Sequence, residues 1–230
     1  MKKFDLILFD ADDTLFDFQK SEKNSLQKTF ENFKIEYNEE IETKYNKINK
    51  ELWEEYNKGN VTKDYLKIER FKRLFNEYNI VSNPEEFNNE YLNGLAENSI
   101  LIDGVEEICK ILSMNYILVI VTNAVSRVAH RKVEKSSISN YISEVVVSDD
   151  IGIQKPDIKF FEYVFDRFKN ISKDRMIIVG DSLTSDIQGG INAGVESCWY
   201  NRFNIENKTE IKPTYEIRDL QELFKIVKGE

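Results

Sequence analysis

Three carboxylates stand almost together at Asp10, Asp12 and Asp13, directly behind the run Phe-Asp-Leu-Ile-Leu-Phe at positions 4–9. Acids crowded against an apolar strand are costly unless something uses them. A hard divalent cation would, since Mg²⁺ prefers one or two carboxylates together with phosphate oxygens. The spacing of two puts the Asp10 and Asp12 side chains on one side of an extended chain. One can then act as nucleophile or ligand while the other moves protons. A plain turn or helix-cap cluster is the alternative reading of the same residues.

Further residues of this kind follow three later points. Thr122 and Asn123 end the run Tyr116–Val121, where a hydroxyl can donate to a phosphate oxygen, although Thr-Asn is also ordinary turn chemistry. Lys155 stands between Gly152 and Pro156; the proline drives it into extended backbone just before a helical pattern. There it can hold a carboxylate and a phosphoryl group together. The run Met176–Val179 leads into Gly180, Asp181 and, five residues on, Asp186. Asp181 can complete a cation site with Asp10. Asp186 reads either as part of that site or as a first-turn acid favoured by the helix dipole.

The elements that must position these residues are legible from periodicity. Short apolar runs at 4–9, 116–121, 145–147 and 176–179 fit strands buried on both faces. Between them lie helical patterns, as at Phe161, Val164, Phe165 and Phe168. Alternation of this kind predicts a Rossmann-like α/β core, a parallel sheet flanked by helices, with ligands at the carboxyl ends of its strands. Residues 17–100 differ: the stripes Ile41, Tyr45, Ile48, Leu52, Tyr56 and Leu26, Phe30, Phe33 are helical, and Pro84 marks a helix start. The expected organisation is a core from residues 1–16 and 101–230, with an α-helical bundle cap inserted over 17–100.

Composition narrows the function. The 230 residues carry 32 Lys and Arg against 41 Asp and Glu, a net charge of −9, with 41% hydrophobic residues and only 9 Gly and 3 Pro. Disordered and collagen-like chains are excluded, and the lack of a basic block argues against binding polymeric nucleic acid. No apolar run reaches the length of a membrane span, and acids at positions 5 and 10 interrupt any signal-peptide pattern. A cytoplasmic protein without a membrane partner, monomeric or a small homo-oligomer, is expected. Cys109, Cys198 and His130 read as packing or surface residues.

In order, Asp-x-Asp-x-Thr-Leu, Thr-Asn, Lys-Pro and Gly-Asp-Ser-(x)3-Asp resemble the motifs of the haloacid dehalogenase-like hydrolase superfamily. The resemblance implies that Asp10 is the nucleophile forming an aspartyl-phosphate and Asp12 the general acid and then base. It implies that Thr122 and Asn123 bind the phosphoryl group and Lys155 neutralises charge. Mg²⁺ would be held by Asp10, the Asp12 carbonyl oxygen and Asp181, with Asp186 supporting the shell. Gly189-Gly190-Ile191-Asn192-Ala193-Gly194 and Ser197–Asn201, with Asp17-Phe18, resemble the pyrimidine 5′-nucleotidase branch. Its substrates would be small phosphorylated metabolites, nucleoside monophosphates above all. The chain departs from that branch at Ala124, where glycine is usual, and at Ser136-Ser137, where Ser-Gly is usual.

Other reactions fit parts of the pattern. A general sugar-phosphate phosphatase or phosphomutase shares the site, although Gly180 stands where mutases tend to carry another acid. A 2-haloacid dehalogenase needs neither Asp12 nor Asp181. A phospho-accepting receiver module has no helical insert after its first strand.

Overall fold

Leu6–Phe9 forms β1 with all four side chains buried. This is the pattern of a strand covered on both faces. The computed structural model describes residues 3–229. In chain order β1 is followed by α1 (Phe18–Asn32), α2 (Glu39–Asn57), α3 (Lys63–Tyr78), α4 (Pro84–Glu97), α5 (Val105–Ser113) and β2 (Ile117–Thr122). Then come α6 (Ser126–Lys135), β3 (Glu144–Val147), α7 (Ser148–Ile151), α8 (Ile158–Arg167) and β4 (Met176–Gly180). A π-helical turn (Leu183–Ile187) leads into α9 (Gln188–Ala193), β5 (Glu196–Tyr200), β6 (Tyr215–Ile217) and α10 (Leu223–Lys228).

All strand pairs are parallel, in the order β3-β2-β1-β4-β5-β6. Alternate residues feed opposite faces. Ile7, Phe9, Leu118, Ile120, Ile177 and Val179 pack with α5 and α10, whereas Leu6, Leu8, Val119, Val121 and Ile178 pack with Phe160, Phe161 and Val164 of α8. Successive strands run outward to one side of β1 and then to the other. Strand order therefore reverses at β1, and a parallel sheet opens its ligand crevice at such a reversal.

The chain divides into two compact units, Met1–Phe18 with Ser99–Glu230, and Gln19–Asn98. The second unit is helical and contains most of α1 with α2, α3 and α4. Asn38, Thr62 and Asn83 cap α2, α3 and α4 through their side chains, and Pro84 opens α4 as its position predicts. Tyr45, Phe71, Phe87 and Tyr91 fill its interior, with Tyr45 and Phe71 stacked at 5.4 Å. Arg70 lies among them, 3% exposed, donating to Asn49 and Asn88 and resting 4.7 Å from the Tyr91 ring. It is a polar residue of this unit's interior.

Candidate active site

The apolar strands β1, β2 and β4 deliver the predicted residues to one edge of the sheet. Asp10 follows β1, its N–H donating to the Val179 carbonyl at 2.9 Å, so the first acid is tied to the neighbouring strand. Lys155 reaches it from the loop before α8 and is 1% exposed. Its ammonium donates to Asp10 Oδ1 at 2.6 Å, Asp186 Oδ1 at 2.7 Å and the Val121 carbonyl at 2.6 Å. An ammonium has three donors, and all three are used, which is how a lysine is kept in so buried a place.

Asn123 holds the lysine's main chain. Its amide Nδ2 donates to the Lys155 carbonyl at 2.9 Å, while the Lys155 N–H donates to Asn123 Oδ1 at 3.0 Å. The Lys155–Pro156 peptide is cis. Thr122 is 2% exposed; its Oγ1 accepts from the Ala124 N–H at 3.1 Å, which leaves the hydroxyl proton for another acceptor.

Asp186 lies within the π-helical turn, a form that often occurs at functional sites. Its Oδ2 accepts from the Ser182 N–H at 3.1 Å, so the acid both caps the turn and reaches Lys155. The two readings of this residue are therefore compatible. The close approach explains Gly180: a Cβ there would sit 2.3 Å from Asp186 Oδ2. Gly189 and Gly190 face similar limits, at 2.6 Å from Phe161 and 2.6 Å from Ile178. These glycines of the nucleotidase-like segment thus serve helix packing.

Asp181 is open to solvent at the strand end, and its carbonyl oxygen accepts from Trp199 Nε1 at 2.8 Å. Trp199, within the Ser197–Asn201 stretch, thereby fixes the main chain of Asp181. Asp12 lies one bridge from Phe16, and its Oδ1 accepts from Lys132 at 2.5 Å. Asp13 adopts φ 58°, a left-handed conformation that aspartate tolerates, and its Oδ1 accepts from the Phe18 N–H at 3.2 Å. The third acid of the cluster is a turn residue. Phe16 is 1% exposed and packs in the core. His130 is exposed on α6 beside Asp150, and both cysteines are buried thiols.

Electrostatics single out the same group. Burial pushes the Asp10 carboxyl up to about 7, with Asp186 and Asp12 adding to the rise and Lys155 opposing it. Asp181 is raised well above the usual carboxylate range: solvent reaches it, but the protein packed around the strand end thins its hydration, and Asp10, Asp186 and Asp13 then add to the rise. Burial works against the charge of Lys155, but Asp10 and Asp186 together outweigh it and hold the ammonium above the ordinary lysine value. Oxygens of Asp10, Asp181 and Asp186 all lie within 4.8 Å of one another. This is a hard donor set carrying more negative charge than Lys155 offsets, and it fits a hard divalent cation.

A parallel sheet with a buried Asp–Lys–Asp chain and further carboxylates at its strand ends defines a hydrolase site of the haloacid dehalogenase-like kind. The chain belongs to that family: the model for haloacid dehalogenase-like hydrolases matches residues 7–200. It is 38% identical to the HAD-hydrolase YfnB of Bacillus subtilis (strain 168), over 99% of this chain and 97% of YfnB. A crystal structure of YfnB bound to magnesium, which reveals interdomain movement, superposes with a TM-score of 0.94 over 98% of this chain and 99% of that one. The chain is also 32% identical to the pyrimidine 5′-nucleotidase YjjG of Escherichia coli (strain K12), over 98% of each. Among the described residues, no helix is long and apolar enough to cross a membrane.

One residue of the site, Lys132, was not singled out in the sequence. For Lys132 the signal is a charge on the apolar face of α6, beside Val128, Ala129 and Val133.

Proposed function

We propose that this protein is a Mg²⁺-dependent phosphatase that hydrolyses a phosphate monoester through an aspartyl-phosphate at Asp10, and that its substrates are nucleoside monophosphates, pyrimidine ones first. The observation that carries the phosphatase reading is the buried Asp10 carboxylate, 2.6 Å from the Lys155 ammonium, with the Thr122 hydroxyl on the adjacent strand. The nucleotide reading rests on YjjG and on the pyrimidine 5′-nucleotidase PynA of Streptococcus pneumoniae (strain ATCC BAA-255 / R6), 30% identical over 96% of this chain and 94% of PynA.

In the first step an Asp10 oxygen attacks phosphorus and the bond from phosphorus to the ester oxygen breaks. Asp12 gives its proton to that oxygen, and the alcohol leaves. In the second step water attacks the aspartyl-phosphate and Asp12 takes its proton, which restores Asp10 and releases phosphate. Thr122 donates its free hydroxyl proton to a phosphoryl oxygen, and the charge of Lys155 stands against the negative charge gathered at Asp10. Asn123 keeps Lys155 in place through its main chain. Asp10, Asp181 and the Asp12 carbonyl oxygen would hold the cation, with Asp186 backing them. Bound there, it supplies positive charge against the phosphate oxygens.

Purified protein with Mg²⁺, given a panel of nucleoside monophosphates and sugar phosphates, tests the reading through kcat/KM. Pyrimidine nucleotides should lead, and Asp10→Asn should abolish turnover while leaving the melting transition in place. Equal activity on sugar phosphates would defeat the nucleotidase reading alone. Retained turnover in Asp10→Asn would defeat the mechanism.

A further inference from the structure

Lys132 is a lysine on the buried face of its helix, with its side chain 3% exposed. Its ammonium lies 2.5 Å from Asp12 Oδ1, and 5.0 and 5.7 Å from the centres of the Phe16 and Phe18 rings. Taking an ammonium out of water is costly; here a carboxylate and two aromatic faces offset it. The Lys132 carbonyl accepts from Ser99 Oγ at 2.7 Å. One residue of α6 therefore holds both stretches of chain next to the helical insert, the one that leaves at Phe18 and the one that returns at Ser99.

We propose that Lys132 is the positioning residue of the Asp12 carboxyl group. This rests on the phosphatase reading above. With Oδ1 engaged by the ammonium, Oδ2 is the oxygen that delivers the proton to the departing ester oxygen and later receives one from water. The rings of Phe16 and Phe18 limit the swing of the ammonium, and with it the rotation of the carboxyl group. A free carboxyl group would spend much of its time turned away from the ester oxygen, and proton delivery is sensitive to such misplacement.

The test separates esters by leaving group. A nucleoside 5′-monophosphate leaves as an alkoxide that needs a proton, whereas p-nitrophenyl phosphate leaves as a stable phenolate that does not. The ratio kcat/KM covers events through ester cleavage only, so the later water step does not enter. Lys132→Met should lower kcat/KM about 10²-fold on the nucleotide, the scale of general-acid catalysis. The loss on the aryl ester should be far smaller, so that the alkyl-to-aryl ratio falls at least about tenfold. Lys132→Arg should recover part of the ratio, and Lys132→Met added to Asp12→Ala should lower nucleotide turnover no further. If Lys132→Met does not fold, Lys132→Gln, with a shorter neutral donor, should still lower the ratio at least about threefold. Equal losses on the two esters in folded protein, or additive losses in the double variant, would overturn the role of Lys132. Absence of phosphate release from either ester by the unaltered protein would instead overturn the phosphatase reading.

Discussion

Substituting Gly180 by alanine adds a single carbon at the point where β4 meets the acid cluster. That carbon would sit 2.3 Å from Asp186 Oδ2, 2.4 Å from Cγ and 2.6 Å from Cβ. Ordinary contact requires about 1 Å more. The strand cannot supply the space easily, because Gly180 is paired with Trp199 and the preceding Val179 with Phe9. Asp186, 1% exposed, can retreat only by giving up the Ser182 N–H at 3.1 Å or Lys155 at 2.7 Å. A charge-assisted hydrogen bond lost in a buried place is worth about 1.5–3 kcal/mol. Disturbance of a group that backs a metal ligand weakens metal affinity about 10–100-fold. A displacement of about 1 Å at a reacting centre lowers turnover by about 10². Gly180→Ala should therefore need about 10–100 times more Mg²⁺ for half-maximal phosphate release and reach about 1% of the normal kcat. The assay is a Mg²⁺ titration of phosphate release with a thermal melt of the same preparation. A stable Gly180→Ala protein with unaltered Mg²⁺ response and kcat would refute the reasoning, since Asp186 would then have moved without consequence.

Two further outcomes follow from the burial of charge. Arg70→Met removes the donor to Asn49 Oδ1 at 3.2 Å and Asn88 Oδ1 at 2.9 Å, both on buried residues. At about 1–3 kcal/mol for each acceptor left unpaired, trimmed because Arg70 Nε has no partner, the melting temperature should fall by about 5–15 °C; a melt matching the unaltered protein would show the network to be inert. Mg²⁺ should stabilise the protein more as pH rises. Asp10, raised to about 7, and Asp181, also raised, keep protons that the unfolded chain has lost above about pH 4. Stability of the metal-free chain contributed by these groups therefore falls as pH rises from about 4 to about 7, while the cation competes for the same ionised oxygens. Melts with excess Mg²⁺ and with EDTA should diverge between about pH 5 and pH 7.5; a constant or shrinking difference would sink the assignment.

The strands that build the site were legible because burial on both faces leaves an uninterrupted apolar run, as in β1, β2 and β4. β6 was not: Tyr215–Ile217 is three residues long at the sheet edge, with the exposed Glu216 at its centre. Asp10, Asp12 and Asp181 could be read from their places after strands, and Lys155 from its place between Gly152 and Pro156. What Asn123 touches could not, since its partner is the main chain of a residue 32 positions on. Nor could the π-helical turn that aims Asp186 back under Gly180, because one residue of extra winding leaves no trace in periodicity. Lys132 was hidden for another reason. Charges on helices are usually solvated, and only its alignment with Val128, Ala129 and Val133 marks it as different.

The division of charge at the strand ends explains why these acids can lie so close together. Lys155 contacts Asp10 and Asp186, and Lys132 contacts Asp12. Each buried ammonium serves its own carboxylates, and among the described residues no lysine or arginine forms an ion pair with Asp181. Asp181 is also the acid that opens to solvent and the one held by its main chain, through Trp199. A fold that satisfies three acids internally and leaves the fourth exposed beside them has a defined place for a cation. The raised carboxyls have burial as their first cause, and the neighbouring acids add to it. Every group in this arrangement comes from residues 1–18 and 99–230.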